Sequence, residues 1–157
     1  MSKTYALKFI QKIPGSLDEA WKFFSDPANL VKITPTAFDF KVISKHHGDK
    51  MYPGQIIEYK VKPLLGIPFY WMTEITHVKD KEFFVDEQRY GPYSLWHHQH
   101  LFKAIEGGVE MTDIVHYKLP MWFIGDIANA LMVRRKLNYV FQYRFEQVEK
   151  IFGRFNT

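Results

Sequence analysis

FFVDEQRYGPYSLWHHQHLFKAIEGGVEMTDIVHYKL, residues 83–119, is the stretch whose reading decides the fold. Gly91-Pro92-Tyr93 and Gly107-Gly108 cut it into three alternating runs: Phe83 to Tyr90, Ser94 to Ile105 and Val109 to Leu119. Alternating runs separated by short Gly/Pro turns predict antiparallel strands joined as hairpins. Strand side chains repeat with period 2, so Trp96, His98, His100 and Phe102 share one face, while Leu95, His97, Gln99 and Leu101 share the other. In the last run Glu110, Thr112, His116 and Lys118 belong in water, which turns Met111, Asp113, Val115 and Tyr117 inward. An inward face that mixes large aromatics with imidazoles and a carboxylate reads as the wall of a pocket rather than as a plain core.

Working outward, residues 3–13 alternate and predict a first strand, ended by Pro14-Gly15. Ser16 and Glu19 have capping-box spacing, which starts a short helix through Trp21, Phe23 and Phe24. Asp26-Pro27 opens a second short helix that ends near Ile33. Phe38, Phe40 and Val42 alternate with polar neighbours as a strand, and His46 to Asp49 is a turn. Gly54 to Lys62 predicts a strand with Ile57, Tyr59 and Val61 on one face; Phe69 to Val78 predicts another. Between them Leu64, Leu65 and Ile67, with Phe69, form an apolar loop. This loop and Met121 to Ile124 read as core packing, with a portal or a partner-facing patch as the alternative. After Pro120 the period changes to 3.6. Ile127, Leu131, Leu137, Phe141, Phe145, Val148 and Phe152 predict one long helix from about residue 122 to 152, on the order of 45 Å.

Composition narrows the function classes. A chain of 157 residues predicts one domain over residues 1–157. It has no cysteine, which excludes disulfides, thiolate metal sites and cysteine nucleophiles and fits a reducing compartment. The net charge of +4 comes from 21 basic and 17 acidic residues that are scattered, so nucleic acid is not an expected partner. Lys8 interrupts the apolar amino-terminal residues, no run is long enough for stable membrane insertion, and a cytoplasmic protein is expected. No nucleophile motif, phosphate loop or dinucleotide fingerprint is present, so no cofactor is assigned. Aromatic residues make up 17% of the chain, enough area to line a cavity for a flat or apolar ligand.

The order strand, two short helices, six meandering strands, long helix resembles the START-related, Bet v 1-like (SRPBCC) superfamily. A closer similarity is to bacterial members of the ligand-binding or polyketide cyclase/dehydrase type. Their hairpin reads Phe-x-Asp-x-Gln-x-x-Gly-Pro-Tyr-x-x-Trp-x-His-x-His-x-Phe, carried here by Phe84, Asp86, Gln88, Gly91, Pro92, Tyr93, Trp96, His98, His100 and Phe102. Asp113, Val115 and Tyr117 follow as Asp-x-Val-x-Tyr, and Phe141, Tyr143 and Arg144 as a late Phe-x-Tyr-Arg. The resemblance implies an α+β helix-grip fold, a seven-stranded curved antiparallel sheet with the long carboxy-terminal helix across its concave face. It also implies a small hydrophobic molecule bound between sheet and helix.

A five-residue loop from Gly91 to Leu95 would set Tyr90 opposite Trp96, Gln88 opposite His98, Asp86 opposite His100 and Phe84 opposite Phe102. Asp86–His100 and Asp113–His98 are then the expected carboxylate–imidazole pairs. The candidate ligand-binding set is Tyr59, Trp71, Phe84, Asp86, Gln88, Trp96, His98, His100, Phe102, Asp113, Tyr117 and Phe141. The polar members admit three roles: a self-satisfied structural network, the anchor for a ligand's polar end, or a general base. In an enzyme of cyclase or dehydratase type, His98 or His100 would take the proton and Asp86 or Asp113 would orient it. The two histidines plus a carboxylate also meet the ligand count of a metal site, although no metal is assigned. An interaction module with a filled core is a further alternative. Arg134 could reach an anionic group, and Arg144 is expected to pair structurally with a carboxylate.

Overall fold

The alternating runs form a single antiparallel sheet in the computed structural model, which describes residues 3–44, 50–64, 66–120 and 126–156. The strands are β1 (Tyr5–Pro14), β2 (Lys41–Val42), β3 (Gln55–Leu64), β4 (Ile67–Lys79), β5 (Phe83–Tyr90), β6 (Leu95–Ile105) and β7 (Gly108–Lys118). Their order is β1-β7-β6-β5-β4-β3-β2, so the meander from β2 to β7 is closed on its far side by β1. In β7 every second residue is buried, from Val109 to Tyr117, as the polarity of its outward residues requires. Register shifts between β4 and β5, at Met72/Thr73 and at Ile75/His77, add twist to the middle of the sheet.

Helix α1 (Leu17–Phe24) starts on the expected capping box. The Ser16 amide donates to Glu19 Oε2 at 2.9 Å, and the Glu19 amide donates to Ser16 Oγ at 3.2 Å. Its buried residues Ala20, Trp21 and Phe24 pack toward β5 and β6, where Trp21 meets Phe84 and Phe102 edge-on. Helix α2 (Asp126–Phe152) buries Ala130, Val133, Leu137, Phe141, Arg144 and Val148, at steps of three and four.

Several sequence expectations need correction. The second helix is a 3₁₀ segment, Pro27–Ile33, capped by Asp26. The strand expected over residues 38–43 shrinks to β2, because a 3₁₀ turn at Thr36–Phe38 ends on Asp39 in the left-handed region. Asp39 is held there by Lys41 and Lys62 at 3.0 and 2.9 Å. The apolar loop between β3 and β4 is mostly strand, with a register shift between Val61 and Leu64 where Pro63 lacks a donor. Ile67 is half exposed there rather than packed in the core, and Phe69 is half-buried. The turn at residues 46–49, the side chains of Leu64, Leu65 and Ile127, and the segment 121–125 lie outside the described residues. Leu131 is 60% exposed. Its spacing of six from Leu137 turns it well over 90° away from the buried stripe, since each helical residue advances about 100°.

Gly108 sits opposite Pro14 where β1 crosses the end of β7. A Cβ there would lie 2.1 Å from the Ile13 carbonyl oxygen, a clash with backbone that no side-chain movement relieves. Gly108→Ala is expected to lower the unfolding free energy by at least about 2 kcal/mol in urea titrations; an unchanged midpoint would contradict this close packing.

Candidate functional site

The site begins with the β5–β6 register. The sequence-based pairing is displaced by two residues: Asp86 lies opposite His98 and Phe84 opposite His100. The displacement arises at the turn. Gln88 does not pair with His98. Its amide donates to the Tyr93 carbonyl at 2.6 Å and accepts from the Tyr93 amide at 3.2 Å, so one side chain replaces a rung of the ladder and widens the loop. A shift of two residues keeps every side chain on its own face, so the inward set survives.

On the other side of β6, Asp113 of β7 lies opposite His100. Each histidine is therefore flanked by a carboxylate on either side, and the shortest bonds run diagonally. His98 Nε2 is 2.7 Å from Asp113 Oδ1, and His100 Nε2 is 2.7 Å from Asp86 Oδ2. The direct contacts are longer: 3.5 Å from His98 Nδ1 to Asp86 Oδ2, and 3.1 Å from His100 Nδ1 to Asp113 Oδ1. The two imidazoles lie 3.7 Å apart between ring centroids, and Phe84 stacks on His100 at 4.1 Å. His98, His100 and Asp113 are buried, and Asp86 is nearly so. Arg144 reaches in from α2, with Nη1 3.6 Å from Asp113 Oδ1.

Burial and the neighbouring charges set the direction in which each group titrates. Burial opposes charge on Asp113, but His100 and His98 outweigh it and hold its carboxyl well below the usual range. The same opposition leaves Asp86 lowered, chiefly through its bond from His100. Burial lowers the pKa of His98, and the neighbouring His100 lowers it further. Burial also works against His100, yet the bonds to Asp113 and Asp86 prevail and raise it. The distances are consistent with this: both nitrogens of His100 lie within 3.1 Å of a carboxylate oxygen, Nε2 in a hydrogen bond and Nδ1 in an ion-pair contact without hydrogen-bond alignment, whereas His98 has one short and one long contact. A neutral His98 donates from Nε2 to Asp113 and turns its Nδ1 lone pair toward Asp86. Two carboxylates, Arg144 and one imidazolium then sum to zero, which is what a water-poor site demands.

This cluster forms one wall of a cavity of about 180 Å³ between the sheet, the 3₁₀ segments and α2. Of the candidate residues, Tyr59, Trp71, Phe84, Asp86, Trp96, His98 and His100 line it. The others do not. Gln88 closes the turn, and Phe102 packs beneath α1 against Trp21 and Phe24. Asp113 stands behind the histidines, while Tyr117 and Phe141 belong to a buried cluster with Leu7, Val115 and Val133. Arg134 is exposed. The alternation of the sequence does not reveal Tyr93, which folds back from the turn onto Trp71 and Trp96 and lines the cavity. Thr73 and Ile75 also line it; the period-2 spacing from Trp71 carries enough signal to find them. Arg144 lines the cavity as well, beyond its structural pairing. Ligand atoms of Asp86, His98 and His100 lie within 4.8 Å of one another, a spacing open to a metal ion. They are already joined by hydrogen bonds and balanced in charge, and Arg144 adds a cation beside them, so the fit to a metal is poor.

Asp113→Asn removes the charge that both histidines and Arg144 face, and is expected to destabilise the fold by about 3 kcal/mol in chemical unfolding; a cost under about 1 kcal/mol would contradict the assigned charges. The pH dependence follows from the signs. His100 is raised above its ordinary 6.5, so its contribution is complete below that pH and is lost as pH rises through the folded value. His98 is lowered, so its contribution is complete above 6.5 and is lost as pH falls through the folded value. Urea midpoints are expected to peak near neutrality and decline on both sides, with the alkaline decline absent in His100→Gln. A flat profile between pH 5 and 9 would contradict this.

No protein-family model and no curated protein matches this sequence. Solved structures do match. Major latex-like protein 151 from Panax ginseng superposes with a TM-score of 0.68 at 13% identity, over 95% of this chain and 97% of its own. Ara h 8.0201 superposes with a TM-score of 0.64 at 12% identity, over 94% and 99%. Protein CV1439 from Chromobacterium violaceum gives 0.70 at 13%, over 96% and 99%. At these identities the likeness speaks for the fold alone: a curved seven-stranded antiparallel sheet with a long carboxy-terminal helix, the helix-grip fold.

Proposed function

We propose that the protein binds a small, largely apolar molecule through a polar end, inside the cavity between the sheet and α2. The observation that carries this reading is the composition of the wall. Aromatic and aliphatic side chains form most of it, and Asp86, His98, His100 and Arg144 are gathered on one side. Ligand sites commonly have this form, an apolar enclosure with a few convergent polar groups. The interior is not filled, which speaks against an interaction module with a closed core. A cavity of about 150 Å³ suffices for benzene, so 180 Å³ suits a ligand of one ring with a short substituent. Among the described residues no helix is long and apolar enough to cross a membrane. Together with a chain free of cysteine, this supports action in the cytoplasm as a single binding domain.

A second reading is a cofactor-independent cyclase or dehydratase. It rests on His98, a neutral imidazole on the cavity wall between two carboxylates that would stabilise it once protonated. His98→Gln and His100→Gln separate the readings: lost turnover with retained ligand affinity favours catalysis.

Native mass spectrometry of the freshly purified protein, with organic extraction of what it carries, tests the main reading. A stoichiometric small apolar or amphipathic compound is expected. An empty protein that also fails to take up single-ring aromatics from solution would contradict it.

A further inference from the structure

Among the described residues, Arg144 is the only Lys or Arg that lines the cavity. It is 9% exposed, and its guanidinium lies 4.8 Å from the Phe141 ring centroid. Five N–H donors radiate from this group. Among the described residues its only ion-pair contact is Asp113 Oδ1, at 3.6 Å from Nη1, and Nε is buried with no hydrogen-bond partner. Asp113 Oδ1 is not reserved for it, because the same oxygen lies 2.7 Å from His98 Nε2 and 3.1 Å from His100 Nδ1. Asp86, the carboxylate on the cavity wall, is taken up by His100 at 2.7 Å and His98 at 3.5 Å. A buried guanidinium with an unfilled fork is costly unless a partner arrives to complete it. The partner that matches the fork is a planar anion.

We propose that Arg144 is a recognition residue for a carboxylate, and that the ligand is a small aryl or arylalkyl carboxylic acid whose ring lies among Tyr59, Trp71, Tyr93 and Trp96. This rests on the ligand-binding reading and deepens it. A monoanion suits the site better than a phosphate, since one cation faces the cavity, the Asp86 carboxylate shares its wall and Asp113 stands behind the histidines.

Charge balance adds a consequence. The charged and titratable groups around the guanidinium are Asp86 from β5, His98 and His100 from β6, Asp113 from β7, Tyr59 from β3 and Tyr93 from the turn. With one ring neutral and the other an imidazolium the cluster is neutral, and a bound carboxylate brings one negative charge. Uptake of one proton from solvent by the neutral ring restores neutrality, so acid binding tightens as pH falls, by up to about tenfold per unit.

The test uses the full chain and three probes: 3-phenylpropionate, its amide 3-phenylpropanamide, and toluene. Binding is read by calorimetry and by the fluorescence of Trp71 and Trp96. At pH 7 the acid is expected to bind at least about tenfold more tightly than the amide, and only the acid should tighten between pH 8 and pH 6. Arg144→Gln should abolish the preference and Arg144→Lys should restore part of it. If Arg144→Gln fails to fold, the acid–amide difference and pH slope of the unaltered protein decide. Amide or toluene binding as tight as the acid overturns the carboxylate assignment and leaves the ligand-binding reading standing. Failure of all three to bind overturns both.

Discussion

Two carboxylates and two imidazoles buried on one face of a sheet coexist only when their charges cancel and their bonds close. Here closure is diagonal: Asp86 bonds to His100 and Asp113 bonds to His98, although each carboxylate lies directly opposite the other histidine. Three neighbouring strands must hold their relative registers for these four side chains to meet. A slip of one residue in β5 or β7 would send a carboxylate to the solvent face and leave a histidine unpaired in the interior. The cluster thus acts as a lock on β5, β6 and β7, and Arg144 ties that lock to α2.

The surrounding architecture supports the same arrangement. Gln88 closes the β5–β6 turn by binding both backbone groups of Tyr93, which sets the register and brings the Tyr93 ring back over Trp71 and Trp96. Bulges between β4 and β5 bend the middle of the sheet. The buried stripe of α2 is filled by small or medium residues at Ala130 and Val133 and by the larger Leu137 and Phe141 farther along. The space that remains is bounded by aromatic rings and closed on one side by the polar cluster.

Much of this was legible in the sequence because it rests on short-range periodicity. The period-2 pattern of residues 83–119 gives the inward identity of Asp86, His98, His100 and Asp113, and Ser16 with Glu19 gives the start of α1. What was not legible depends on long-range geometry or on a side chain standing in for backbone. The displaced register follows from Gln88 acting as a rung, which no spacing rule announces. The turn residue Tyr93 lies beyond the reach of alternation. Leu131 looks like part of an apolar stripe until the rotation of the helix is fixed by what α2 packs against. Phe102, Tyr117 and Phe141 face inward as expected, yet other side chains fill the space beside them, a distinction set by three-dimensional packing.

The central claim is that the histidine pair of the four-residue cluster carries one positive charge, one ring neutral and one an imidazolium, which leaves Arg144 as the cation available to the cavity. Nitrogen-15 NMR of the imidazole rings at neutral pH tests it most directly. The account predicts one ring, His100, with both nitrogens protonated, and one neutral ring, His98, protonated at Nε2. Two neutral rings, or two rings titrating independently near the ordinary histidine value, would contradict it.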